Sequence, residues 1–532
     1  LGSGCRVGAE RIRVIHSYLK GAIAAKIETI PKKKGHSMVT RANIPFTVER
    51  MSKVDTAWLR MDAPSNLMMI VGVWIIKPAV RYDAVCDRIE ERLLKYPRFS
   101  QRVQTDATGA SWVTDTRFSI KRHVLREKLP ATAKRHPEQA LQQRLGELAM
   151  QPLDARYPLW DFRLVEHYDG GSALVARIHH CIADGLALIS VIQSLVDGGS
   201  DPPQRAPRGP QPHGWDAAEE WMSHTLIEPL TVAAVKALEV AGDGAVHAFE
   251  AMGDPRNVLE RWLESGLSKG KAGSAEMARL AYQVLRDGAA LALMADDSPT
   301  RLKGVPGTSK RVAWCRPIPL DEVRAVSKAL RCSINDVLLA SVAGAIAQYL
   351  KGYGDAVLGK EVRAMVPVNL RPMSQAYKLG NQFGLAPVVL PLGLDNPIAR
   401  VYEVRRRMSE LKGSMQPLLA FGMLAVAGLL MKPAQDAMLS LFSKKTTAVM
   451  TNVPGPREKL QFCGSTLDQT LFWVPQSGTV GLGVSILSYG GGVQFGVISD
   501  TTLCPDPQAI IDGFAPEFEK LSLLTLMLPW SD

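Results

Sequence analysis

Cysteine is scarce and unpatterned: seven residues, at positions 5, 86, 181, 315, 332, 463 and 504, with no C-x-x-C pair among them. An odd, scattered set argues against a disulfide framework or a zinc knuckle and fits a reducing compartment. A long apolar run is missing too. The longest, "LLAFGMLAVAGLLM" at 418–431, has fourteen residues between Pro417 and Lys432-Pro433, and a bilayer span takes about twenty. We therefore expect no integral membrane protein. The run reads as a buried helix that lines an apolar channel or dips into a membrane interface. No early segment joins an apolar core to a small-residue cleavage site, so no secretory signal is expected. No phosphate-cradling P-loop is present, which speaks against ATP chemistry.

Acidic charge is nearly absent from the first fifty residues, which hold ten Lys/Arg against three acids. Most of the formal net charge of +11 belongs there, and the rest of the chain is close to balance. Such a basic segment suits an anionic surface. It also reads as a solvated tail or upstream extension, with Met38 and Met51 as candidate starts. What remains is ordinary globular composition, 46% hydrophobic and 22% charged, in a chain long enough for two or three domains.

From Met51 the text becomes regular. "NLMMIVGVWIIKP" (66–78) reads as a strand and "YDAVCDRIEERLLKYPRF" (82–99) as a helix that ends before a proline. "LWDFRLVEHY" (159–168), "DGG" and "SALVARIHH" (172–180) form a hairpin, with helix following over 184–196. "DGGSDPPQRAPRGPQPHG" (197–214) is too rich in proline for regular structure and reads as a linker. Residues 215–296 look like a helical crossover. A second mixed half has helices at 320–330 and 334–350, strands at 362–370 and 386–392, and a glycine-turned hairpin at 481–500. The boundaries read as 1–50 extension, 51–200 first half, 201–300 linker and crossover, and 301–532 second half. Two α/β halves so joined place a substrate cleft between them.

Histidine is rare as well, ten in all, yet two stand together in "RIHHCIADGLALIS" (177–190). Adjacent residues on a strand face opposite sides, so one imidazole should face the cleft and the other the packing side. Neutral imidazole suits proton removal near pH 7. Asp184 can cap the following helix or hold the turn through an arginine, and Gly185 leaves the backbone open to a substrate. His179, His180 and Asp184 do not share a helical face as H-E-x-x-H ligands do, so no metal is expected. H-H-x-x-x-D-G should arise by chance in about one chain of this length in a thousand.

"HHCIADG" (179–185) resembles the HHxxxDG motif of CoA- and carrier-dependent acyltransferases. Further segments are similar to those of the bacterial wax ester synthase/diacylglycerol acyltransferase family: "MSKVDTAWLRMDAPSNLMMI" (51–70), "PLDARYPLW" (152–160), "SPTRLKG" (298–304), "SINDVLLASVAGAI" (333–346), "VPVNLR" (366–371), "LGNQFG" (379–384) and "TNVPGP" (451–456). The resemblance spans about residues 51–525. It implies an α/β, two-domain chloramphenicol acetyltransferase-like (condensation-domain-like) fold with mixed sheets and a central channel between the halves.

It also implies transfer of a long acyl chain from acyl-CoA to the hydroxyl of diacylglycerol or a fatty alcohol. Triacylglycerol or wax ester would form without a covalent acyl-enzyme or any cofactor besides the co-substrate. His180 would be the base, with His179, Asp184 and Gly185 completing the catalytic set. Leu159 and Trp160 would shape the acyl channel, with a core position the bland alternative for Trp160. Asn335, Asp336, Asn369, Arg371 and Asn381 would line or support the channel, Asp336 as a helix-terminal brace. The family carries Glu where this chain has Asp62, and Asp62 is left out of the set. The arginines of "VRRRMSELK" (404–412) are candidates for CoA phosphates, although a solvated helix face explains such a run equally well. A cytoplasmic protein peripheral to the membrane or to lipid inclusions, without a nucleic-acid partner, is expected. A carrier-protein-dependent condensation or polyketide-associated acyltransferase, or an idle lipid-binding homologue, are the alternatives.

Overall fold

β-Branched and aromatic residues gather in short runs between turns, and each run forms a strand. The computed structural model describes residues 46–106, 109–200, 294–371, 378–412, 414, 416–430 and 432–527. The extension read at 1–50 and the linker and crossover read at 201–300 lie almost wholly outside these residues.

The first half gives its larger sheet β1 (Met69–Lys77), β2 (Val124–Glu127), β3 (Trp160–Tyr168) and β4 (Gly171–His179). Helices α1 (Lys53–Arg60), α2 (Tyr82–Leu93), α3 (Pro137–Ala149) and α4 (Gly185–Leu195) accompany them. β3 and β4 make the expected hairpin. Asp169 and Gly170 take φ of 45° and 73°, the left-handed pair that a two-residue turn between twisted strands requires.

The second half supplies β5 (Lys310–Trp314), β6 (Glu361–Asn369), β7 (Phe383–Pro391), β8 (Ala448–Pro454), β9 (Gln461–Phe462), β10 (Ser465–Trp473), β11 (Leu482–Tyr489) and β12 (Gly492–Asp500). Its helices are α5 (Leu320–Ala329), α6 (Ile334–Gly352), α7 (Pro397–Leu411), α8 (Gln416–Ala427), α9 (Lys432–Lys444) and α10 (Pro507–Leu526). The elements read from sequence at 320–330, 334–350, 362–370, 386–392 and 481–500 all form, within a few residues of those bounds.

Beside a small three-stranded sheet of Val48–Arg50, Gly109–Thr114 and Gln101–Asp106, two larger mixed sheets result. One runs β9-β10-β1-β4-β3-β2, the other β7-β6-β8-β11-β12-β5. β10 follows the second sheet's β8 in the chain, yet it pairs antiparallel with β1, from Thr466↔Lys77 to Trp473↔Val71. The later part of the chain thus clasps the earlier sheet. β1 is buried on both faces. Ile70, Trp74 and Ile76 join a core with Ile89 of α2 and Val191 of α4. Met69, Val71, Val73 and Ile75 meet Leu141 and Leu145 of α3 together with Val312, Trp314 and Ile498 of the second sheet. The second sheet packs on α6 and α10, and α6 is buried along most of its length.

The apolar run at 418–431 forms most of α8, with Ala420, Leu424 and Ala427 buried. No single helix among the described residues is long and apolar enough to cross a membrane.

Candidate functional site

β4 ends at His179 and the chain turns at once into α4. The backbone N–H of His179 still donates to Leu159 O (3.0 Å), and that of His180 to Met68 O (2.7 Å). The strand's alternation therefore persists through both residues, and their side chains part. Each ring then meets a different set of partners.

The Nδ1 of His179 accepts the Cys181 backbone N–H at 3.1 Å, so its proton sits on Nε2, 3.4 Å from Asp62 Oδ2. Asp62 is half-exposed, and its Oδ1 accepts the Met68 N–H at 2.6 Å. Burial works to raise the Asp62 carboxyl, but His179, the Met68 N–H and nearby Lys432 outweigh it and hold it below the usual range. Asp62, left outside the expected set, stands within reach of His179 with its shorter side chain.

His180 is buried and lines a cavity of about 370 Å³. Its Nδ1 lies 2.9 Å from Asn381 Oδ1. The Asn381 amide nitrogen sits 2.7 Å from Asp55 Oδ1 and 2.8 Å from the His180 carbonyl, both acceptors. The carboxamide can point only one way: its NH₂ donates to those two oxygens and its Oδ1 accepts from the imidazole. Hence Nδ1 of His180 carries the proton, and Nε2 keeps its lone pair for a group in the cavity. Trp58 stacks on the ring, with centroids 4.2 Å apart and planes 13° from parallel, and Phe383 leans against it. Burial, the largest influence, pushes His180 down to about 4, so the ring is neutral at pH 7.

Asp184 does both jobs expected of it. Its Oδ1 caps α4 by accepting the Ala187 N–H at 2.9 Å. Its Oδ2 pairs with Arg371 Nη2 at 3.1 Å and accepts the Gln382 N–H at 3.0 Å. Arg371, buried, also donates to Gln382 Oε1 and the Gly380 carbonyl. Asn369 holds Arg371 in turn, its Nδ2 on the Arg371 carbonyl and its Oδ1 on the Arg371 N–H. Between β6 and β7, then, the second half sends Arg371 and Asn381 across to the histidine turn. A bridge from Ala183 to Gly380 splices the two.

The cavity wall is mostly apolar, including Trp58, Met365, Phe383, Met423 and Phe442, with Asn369, Thr451 and Asn452 as polar points. Helix α8 lines it through Ala420, Met423 and Leu424, as the apolar run led us to expect. A second, smaller apolar cavity of about 100 Å³ adjoins it between the first sheet and α4, and Gly185, Phe472 and Val474 border both. The space beyond the Gly185 Cα is open.

Other expected residues lie elsewhere. Trp160 borders neither cavity. It is 1% exposed, donates its Nε1–H to Phe99 O at 2.8 Å and stacks on His123 at 4.3 Å. It is a core residue, not a channel wall, because β3 faces buried aromatics on that side. Leu159 is buried as well, borders neither cavity and accepts the His179 N–H through its carbonyl. Asn335 accepts from Asn452 Nδ2 at 2.7 Å, one residue removed from the cavity. Asp336 closes a capping box with Ser333 at the start of α6, the brace expected of it. Of the α7 arginines, Arg406 pairs with Glu403 and Glu410, and Arg407 with Glu361 and Glu403. These two are neutralised on a helix face. Cys181 is buried, and burial drives its thiol well above its ordinary range, the opposite of a nucleophile.

Two residues of the site, Asp55 and Trp58, are not among those the sequence singles out, and Asp62 is named there only as a departure from the family. Their spacing at i, i+3 and i+7 puts them on one face of α1 and its exit, a signal that was there to be read.

Residues 51–338 match the family model described as the wax ester synthase/diacylglycerol acyltransferase catalytic domain, and residues 379–522 match the WS/DGAT C-terminal domain. The probable diacylglycerol O-acyltransferase tgs1 of Mycobacterium tuberculosis H37Rv is 25% identical over 487 residues, covering 89% of this chain and 96% of that one. Among solved structures, the wax ester synthase/diacylglycerol acyltransferase from Marinobacter aquaeolei VT8 is similar with a TM-score of 0.59 and 19% identity, covering 90% of this chain and all of that one. The first condensation domain of the calcium-dependent antibiotic synthetase is similar at 0.53 and 14%, covering 90% and 97%. At these identities the two structures share the fold.

Proposed function

The chain belongs to the wax ester synthase/diacylglycerol acyltransferase family, and we propose that it moves a long acyl chain from acyl-CoA to a diacylglycerol or fatty-alcohol hydroxyl with His180 as general base. The observation that carries this reading is the fixed tautomer of His180: Nδ1–H is held by Asn381 while the ring lines an apolar cavity.

The acceptor hydroxyl gives its proton to Nε2 and its oxygen attacks the thioester carbonyl. The tetrahedral intermediate collapses, the C–O bond is kept and the C–S bond breaks. The departing CoA sulfur takes the proton back from the imidazolium. Base and acid are one group, so no covalent acyl-enzyme forms and no second nucleophile is needed. While the ring is charged, the face of Trp58 lies against it, a favourable cation–π placement. Desolvated walls strengthen each such interaction. Both substrates carry long chains, and each methylene that leaves water contributes about 0.8 kcal/mol. The large cavity and the adjoining one offer two apolar arms that meet at Gly185, beside the base.

We propose further that, with substrates that reside in lipid, the enzyme works at a membrane or lipid-inclusion surface. The test is a competition assay: purified protein, one labelled acyl-CoA, and both acceptors together. Ester formation with release of free CoA, lost in His180→Ala, is expected. Ester only from an acyl group on a phosphopantetheinyl carrier protein would overturn the assignment of the donor. The ratio of the two esters reads the acceptor preference directly.

A further inference from the structure

We propose that Asp55 is a positioning residue that sets the tautomer of His180 through Asn381; this rests on the reading of His180 as the base. Asp55 stands in the first turn of α1, 6% exposed, behind the asparagine and out of reach of any reactant. Its Oδ1 takes two hydrogen bonds from Asn381, the backbone N–H at 3.0 Å and the amide Nδ2 at 2.7 Å. A carboxamide is nearly symmetric in shape, and without Asp55 it can turn over. Turned over, Asn381 would offer N–H to His180 Nδ1, the imidazole proton would move to Nε2, and the nitrogen facing the cavity could no longer accept one. Asp55 forbids that, because the turned amide would set its oxygen against a carboxylate oxygen and the His180 carbonyl together.

The approach needed is close. Gly380, the residue before Asn381, has φ of +99°, and a Cβ there would sit 3.4 Å from Asp55 Oδ2. The other titratable groups around His180 are His179, Cys181 and Asp184, the last already paired with Arg371.

The direct test is ¹⁵N NMR of histidine-labelled full-length protein, where Nδ1–H and Nε2–H imidazoles give different shifts. The His180 signal, identified by its loss in His180→Gln, should be that of Nδ1–H in the wild type. An Nε2–H signal there would overturn the proposal without any Asp55 variant. Kinetics supply the second arm. Asp55→Ala should lower kcat about 100-fold, the scale of losing a general base, with KM for acyl-CoA little changed. Asp55→Asn keeps an acceptor oxygen and should recover at least tenfold of that loss. If His180→Ala is dead while folded Asp55→Ala keeps wild-type kcat and the Nδ1–H signal, the Asp55 role falls and the base stands. If His180→Ala stays active, the base itself falls.

Discussion

His179 and His180 are neighbours in the chain yet protonated on opposite ring nitrogens, because one accepts a backbone N–H and the other donates to a side chain. The pair's divergence was legible from strand alternation alone. The partner that chooses the His180 tautomer was not placed by local pattern, since Asn381 arrives from 201 residues away; Asp62, on the other ring, comes from 117 away. Two predictions belong at this scale. Burial sets His180 at about 4, below the free-imidazole value of about 6.5. The reaction needs the neutral ring, so kcat/KM should stay level as pH falls through 6.5 and decline only nearer 4. An acid limb centred at 6.5 would mean a solvated ring. The same depression means that the unfolded chain binds a proton the folded ring refuses, so stability declines as pH falls from about 6.5 toward 4. Asp62→Ala, which takes the half-exposed carboxylate from His179 Nε2, should cost about tenfold in kcat, below the roughly 10²–10⁴-fold range for losing a general base. A loss as large as that of His180→Ala would make Asp62 a proton carrier.

Elements join through a buried ion pair. Arg371, after β6, meets Asp184 at the cap of α4, and both side chains are almost wholly out of water. Removing one partner of such a pair costs about 3–5 kcal/mol, because the other is left charged and buried. Arg371→Ala should therefore lower the free energy of unfolding, measured by denaturant titration, by that much and abolish activity with it. A stable, inactive protein would instead mean that Arg371 touches substrate. That Asp184 wants an arginine could be expected from its place in the motif; which arginine could not, until the chain segment after β6 was seen to cross over. Trp160 shows the converse limit. Its strand is buried on both faces, so period-two patterning could not say whether the indole meets a cavity or a core. Trp160→Ala should destabilise by about 3–5 kcal/mol and leave the KM for acyl-CoA unchanged.

On the scale of the molecule, motif order was enough to foresee two α/β halves with a channel between them. It could not reveal that β10 leaves the second sheet's neighbourhood to pair with β1. Antiparallel pairing across some four hundred residues follows from which apolar faces remain uncovered, and no local pattern records that. This clasp brings Phe472 and Val474 to the junction of the two cavities. If the smaller cavity holds the acyl tail, filling it from β4 with Ala176→Phe should shift the preferred acyl-CoA toward shorter chains. The acceptor preference should stay as it was. An unchanged chain-length profile would place the tail elsewhere.

The measurement closest to the centre is release of free CoA by purified protein given long-chain acyl-CoA and diacylglycerol, wild type against His180→Gln, with thermal melting and acyl-CoA binding recorded for both. The account predicts a loss of at least about 100-fold in turnover with melting and binding preserved. Turnover at the wild-type rate from the folded variant would contradict it.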